Sequence, residues 1–187
     1  MSIQPRSLSI PVQGAAAWAS YRLLGIVAFA GLVALGARIS VPLWPVPLTL
    51  QVPFVLLAGA FLGSRAGAGS MTTYLAAGVL GLPVFASGGG PGYLLGPTGG
   101  YLVGFVAAAA VVGLLAGPQA GFVRLLLAMT AGVAVIHAFG LLYLSVFLGG
   151  APWEALQVAL LPLAVGSVLK VTAAASLVAA WRGLRRW

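Results

Sequence analysis

A chain of 187 residues with 61% apolar side chains, 5% charged ones and a mean hydropathy of +1.13 lies outside the range of soluble domains, in which roughly a quarter of residues are charged. Its solvent is lipid. One acidic residue, Glu154, one histidine and no cysteine exclude disulfides, paired-carboxylate catalysis, a multi-ligand metal site and Cys-His or Ser-His-Asp constellations, and no cofactor is implied.

A crossing takes about 20 apolar residues, so about six crossings with short connections use up the chain. With Gly/Pro clusters and arginines as punctuation, spans are predicted at about 23–41, 50–64, 66–82, 100–116, 122–148 and 163–181. The predicted fold class is an all-α integral membrane protein of six transmembrane helices, with irregular outer loops forming a substrate pocket. Residues 1–22 form an N-terminal segment without the apolar core of a signal peptide, 23–181 the membrane domain and 182–187 a basic C-terminus.

Nine Lys and Arg raise the question of a nucleic-acid binder, but they stand singly between apolar runs, as charges do when they fix topology. Arg6, Arg22, Arg65, Arg124, Arg182, Arg185 and Arg186 all fall on the side of the termini. The connections 42–49, 83–99 and 149–162 on the other side contain no Lys or Arg. The rule that basic loops stay inside therefore makes both termini cytoplasmic.

In span 1, Ala30 and Ala34 form a small-xxx-small pair that permits close helix approach in lipid, serving either packing within the bundle or docking of another subunit. Arg38 near the outer end of this span can snorkel to the interface. The following loop places Pro42, Pro45 and Pro47 within six residues, which stiffens it and removes N–H donors. Trp44 in this loop suits an interfacial anchor or a ligand contact equally. Thr49 and Gln51 put a hydroxyl and an amide at the mouth of an apolar span, where buried polar groups need partners.

Spans 2 and 3 are separated by barely a turn, Gly63-Ser64-Arg65, and span 2 is short for a full crossing. The loop 83–99 is too apolar for a solvated linker and too glycine-rich for a helix. Irregular backbone at membrane depth survives where it is buried in protein or lines a cavity, so a re-entrant lid or pocket wall is expected, the alternative being a plain surface turn. Gly88-Gly89-Gly90-Pro91-Gly92 lacks the spacing and lysine of a phosphate loop, and no G-x-x-x-x-G-K-[ST] occurs, so ATP is handled by other subunits if the protein serves active transport. His137 in span 5 is read as a helix-packing hydrogen bonder ahead of a ligand residue.

Lys170 lies about 12 Å below the start of span 6 at 1.5 Å per residue, where an ammonium costs about 2.5–3.5 kcal/mol on insertion scales. Glu154, the only carboxylate among the side chains, reaches it only if 149–162 folds back. A cation held there suits the carboxylate of an anionic substrate. Ser167 lies one turn before Lys170 on the same face, which also permits a Ser-Lys nucleophile and base, although nothing supplies a third catalytic group.

Three motifs in order carry a family resemblance. They are Ala34-Leu35-Gly36-Ala37-Arg38-Ile39 running into Pro45-Val46-Pro47-Leu48-Thr49-Leu50-Gln51, then Gly81-Leu82-Pro83-Val84-Phe85-Ala86, then Gly96-Pro97-Thr98-Gly99-Gly100-Tyr101-Leu102-Val103-Gly104-Phe105. With them the chain resembles BioY, the biotin-specific substrate-binding component of energy-coupling factor transporters, from about residue 24 to 180. The resemblance implies six membrane helices in a prokaryotic cell (inner) membrane and biotin held on the outer side. It implies as partners a transmembrane coupling protein and two ATPases, with Ala30 and Ala34 as the docking pair. It assigns substrate binding to Trp44, Thr49 and Gln51 in the first loop, Phe85 and Tyr93 in the third, and Lys170 beneath them. The family usually has an acidic residue three before the lysine, and here that position is Ser167. The expected function is a non-enzymatic biotin-capturing subunit, the alternatives being a carrier for another small vitamin, an intramembrane Ser-Lys enzyme and a plain helix-packing subunit.

Overall fold

The structure, a computed structural model, describes residues 12–184; Arg6, Arg185 and Arg186 of the charge argument lie outside the described residues. Helix α1 runs Val12–Arg38, and a two-residue hairpin, β1 (Ser40–Val41) and β2 (Leu48–Thr49), follows. Then come α2 (Gln51–Val79), a short α3 (Pro91–Leu94), α4 (Gly99–Ala116) and α5 (Phe122–Phe147). The chain closes with α6 (Pro152–Ala155), a π-helical turn (Leu156–Leu160) and α7 (Leu161–Leu184). Four stretches among the described residues are long and apolar enough to cross a membrane: Ala19–Arg38, Gln51–Val79, Gly99–Ala116 and Phe122–Phe147. The chain is a mostly helical membrane protein.

Helix α2 is not one rod. Gly63 has φ 78° and ψ 177°, a conformation that only glycine adopts without strain, and there the chain turns back on itself. Gly59 and Gly67 face each other across the turn, a Cβ on Gly67 lying 3.0 Å from the Gly59 Cα. Gln51, the first residue of α2, donates a hydrogen bond to the hydroxyl of Tyr74 near its end, whereas a continuous helix would hold the two about 35 Å apart. The arms 51–62 and 64–79 correspond to spans 2 and 3, at about 18 and 24 Å. A three-residue connection expected from sequence is thus a turn at a single glycine. Helix α1 begins at Val12 rather than near residue 23, its apolar stretch starting at Ala19.

Helix α4 lies between α2 and α5, α1 packs on α2, and α7 leans on α5 and α2. Two buried clusters fill the interior. One joins Val33, Tyr74, Phe85, Tyr101, Phe105 and Ile136; the other joins Leu56, Val112, Leu125, Met129, Val171 and Val178. The outward faces are themselves apolar, with Leu24, Val27, Leu35, Leu127, Leu142 and Leu169 all exposed, as expected where lipid replaces water.

The connections at one end of the bundle are ordered by specific bonds. The β1–β2 pairing sets Ser40 opposite Thr49 and Val41 opposite Leu48, closing the proline-rich loop on its own base. Leu50 N–H donates to the carbonyls of Gly36 (3.2 Å) and Ile39 (3.1 Å), satisfying the end of α1. Arg38 donates to the Pro83 carbonyl, so this cation ties the end of α1 to 83–98 instead of hanging free at the interface. We call this the loop end.

Candidate functional site

Buried polar groups in a membrane bundle are costly unless paired, so the polar side chains at the loop end locate the site. Thr49 closes β2, and Gln51 opens α2 two residues later. Both are buried, at 8% and 4% exposure. The Thr49 hydroxyl donates to Gln51 Oε1 at 3.0 Å, Gln51 Nε2 donates to the Tyr74 hydroxyl, and Tyr74 donates to the Val84 carbonyl at 3.2 Å. This relay runs from the first loop through both arms of α2 into the third loop, and fixes their relative position.

The third loop owes its shape to one aromatic side chain. Phe85 is fully buried, pinned by a pair of bonds between its backbone and Gly88. Its ring packs edge-on to Tyr74 at 5.5 Å and stacks on Tyr93 at 4.9 Å between centroids. It lies against the backbone of Gly78, where any Cβ would collide with the ring. Tyr93, half-buried on α3, is thereby turned toward the bundle interior.

A cleft opens beneath these loops. Thr49, Gln51, Tyr93, Ser167 and Lys170 all line it, so the structure brings these five together from four separate elements. Val46, Val52, Leu102, Phe105 and Ile136 form its apolar wall. Two expected contacts stand apart. Phe85 is not on the cleft surface but one layer behind it, supporting Tyr93. Trp44 is 81% exposed at the tip of the first loop and does not line the cleft. Ala30 is buried in the intramolecular core with Ala34 packed against it.

Lys170 lies about 14 Å along α7 from its first residue, half-buried on the cleft wall. Among the described residues no hydrogen bond or ion pair engages its ammonium. Glu154 is exposed on α6 and makes no ion pair with it. Ser167, 9% exposed, sits one turn before it on the same wall. No group of three or more potential metal-ligating side chains occurs among the described residues. A single Lys among apolar, aromatic and hydrogen-bonding side chains suits an amphiphilic anion with polar groups of its own.

A sequence model of the BioY family matches residues 11–186. The chain belongs to the BioY family. Its similarity to a biotin transporter BioY from Thermotoga maritima is 42% identity over 148 residues, 79% of this chain and 87% of that one. A probable biotin transporter BioY from Pyrococcus horikoshii is 41% identical over 80% of this chain and 88% of its own. The fold matches the crystal structure of the S-component for biotin from an ECF-type ABC transporter with a TM-score of 0.79 and 25% identity, covering 91% of this chain and 94% of that one. The cleft also holds polar side chains that the sequence did not single out as ligands, Thr98, Tyr101 and His137. Tyr101, on the first turn of α4, and His137, midway along α5, both line it. Tyr101 lay inside a recognised motif, but the motif carries no sign of which side chain faces inward. His137 offers no signal beyond being the only histidine.

Proposed function

We propose that the protein is the biotin-binding membrane component of an ECF-type uptake transporter, receiving biotin at the loop end and passing it inward with partner subunits. One observation carries this within the BioY family: Lys170, whose ammonium has no partner among the described residues, stands in a cleft lined otherwise by apolar and aromatic side chains and by hydrogen-bonding ones such as Thr49 and Gln51. Biotin has matching parts, an apolar bicycle for Tyr93 and the apolar wall, and a carboxylate for the ammonium. The protein is a transport component and not an enzyme, in keeping with relatives named as transporters, and this sets aside a nucleophilic role for Ser167.

In this reading the membrane domain crosses six times, with α1, the two arms of α2, α4, α5 and α7 as the crossings. The arginines on the terminal side place the termini in the cytoplasm and the cleft at the outer face of a prokaryotic cell membrane. Energy comes from a transmembrane coupling protein and ATPase subunits, for which this chain has no nucleotide-binding motif of its own. Docking falls on α1. With Ala30 turned into the core, the small residues Ala28 and Gly31 are exposed on its outer face and permit close approach.

The test is retention of labelled biotin by the purified protein in nanodiscs, with unlabelled biotin and other vitamins as competitors. Saturable binding displaced by biotin alone is expected. Displacement by a different vitamin would replace the substrate, and no saturable binding would end the proposal.

A further inference from the structure

Two polar atoms in the cleft are buried without a hydrogen-bond partner: the Tyr101 hydroxyl and His137 Nε2. Buried polar atoms without partners are rare, and these are the two such side-chain atoms among the described residues. Both belong to residues on the cleft wall. Their rings meet edge to face with centroids 6.3 Å apart, which makes the two side chains neighbours, called here the polar edge of the cleft.

The protonation of the histidine follows from its other nitrogen. Nδ1 lies 2.9 Å from the Val133 carbonyl, one turn back on α5, and a carbonyl only accepts. Nδ1 therefore carries the proton, and in the neutral ring Nε2 is an acceptor. Tyr101 is held equally firmly: its ring fills the slot left by Gly140 on α5, where a Cβ would overlap it. The edge thus offers a fixed acceptor beside a hydroxyl able to donate.

We propose that this edge reads the ureido group of biotin, Nε2 of His137 accepting a ureido N–H and the Tyr101 hydroxyl donating to the ureido carbonyl. The assignment rests on the biotin reading above. A ureido group carries its N–H donors and carbonyl acceptor side by side, the complement of this pair. Its N–H groups need an acceptor, and no carboxylate is at hand: the chain has no Asp, and Glu154 is exposed on α6. Gln51 Oε1 already accepts from Thr49. Nε2 thus supplies the acceptor that the serine at 167 does not provide as a carboxylate. Lys170 is left for the opposite, anionic end of the ligand.

The test compares biotin with its two mono-N-methylated ureido analogues on wild type, His137→Leu, His137→Gln and Tyr101→Phe in nanodiscs. Losing a buried hydrogen bond costs on the order of tenfold in affinity. His137→Leu is expected to weaken biotin by about that factor while leaving unchanged the affinity for the analogue methylated on the nitrogen that Nε2 contacts. His137→Gln, which keeps an acceptor, should recover part of the loss. Tyr101→Phe removes one oxygen, keeps the ring in its slot and is expected to cost a similar factor. Wild-type biotin affinity in His137→Leu, or an equal loss for biotin and both analogues, would overturn the role of His137; wild-type affinity in Tyr101→Phe would overturn that of Tyr101. Failure of the wild type to bind biotin would bring down the substrate reading itself, which separates the two failures.

Discussion

Replacing Lys170 by methionine keeps the length of the side chain and removes its charge, so stability and binding are predicted to move in opposite directions. An ammonium at the centre of a span costs about 2.5–3.5 kcal/mol on insertion scales. Lys170 is half-buried on a cleft wall and has no partner among the described residues to offset that cost. Partial hydration reduces the cost, leaving roughly 1–2 kcal/mol to be recovered by the ligand-free bundle in Lys170→Met. The biotin carboxylate loses a charge-assisted hydrogen bond worth about 1.5–3 kcal/mol, or roughly ten- to a hundredfold in affinity. Thermal unfolding without ligand and equilibrium binding of biotin and of neutral biotinamide measure both. The variant should unfold at a higher temperature, bind biotin more weakly and bind biotinamide as the wild type does. An equal loss for biotin and biotinamide would show that Lys170 shapes the cleft instead of meeting the carboxylate. A lower unfolding temperature would show that the ammonium is not the liability described.

Three further substitutions probe the framework. Gly78→Ala places a methyl group against the Phe85 ring, and overpacking of this kind costs about 1–3 kcal/mol; because Phe85 backs Tyr93, biotin affinity should fall together with the unfolding temperature. Gly63→Ala forces an L-residue into φ 78°, ψ 177° at the turn between the arms of α2 and should lower stability by about 1–3 kcal/mol, visible as a lower midpoint of thermal unfolding. Trp44→Ala, at an 81% exposed position off the cleft, should leave equilibrium biotin affinity within about twofold of wild type, and a larger loss in the binding assay would mean that the first loop closes over the ligand.

What the sequence carried clearly was the chemistry of whole segments. Composition dictates lipid as solvent. Gly63 next to Ser64 and Arg65 marks the reversal that halves α2, because a polar break between two apolar runs is where a chain can leave the lipid and turn back. Lys170 stands out because a lone ammonium in an apolar run is expensive wherever the run is packed. Segment chemistry does not say which side of a loop or helix faces inward. Phe85 and Tyr101 are both aromatic residues within motifs that carry glycine, proline and apolar side chains, yet one supports the wall and the other lines the cleft. The difference lies in two slots on other elements, the bare backbone of Gly78 under Phe85 and of Gly140 beside Tyr101. Such slots are tertiary: each needs a glycine from one segment and a ring from another at one depth, and no local periodicity records that match. The same holds for His137, whose bond to Val133 is the ordinary i to i−4 contact that its position suggests, while the atom left over meets the cleft only because α4 and α5 pack closely enough to bring Tyr101 beside it. In a bundle where both faces of most helices are apolar, hydrophobic patterning no longer separates core from surface. The unspent hydrogen-bonding capacity of a few polar atoms then becomes the more informative guide to where a ligand belongs.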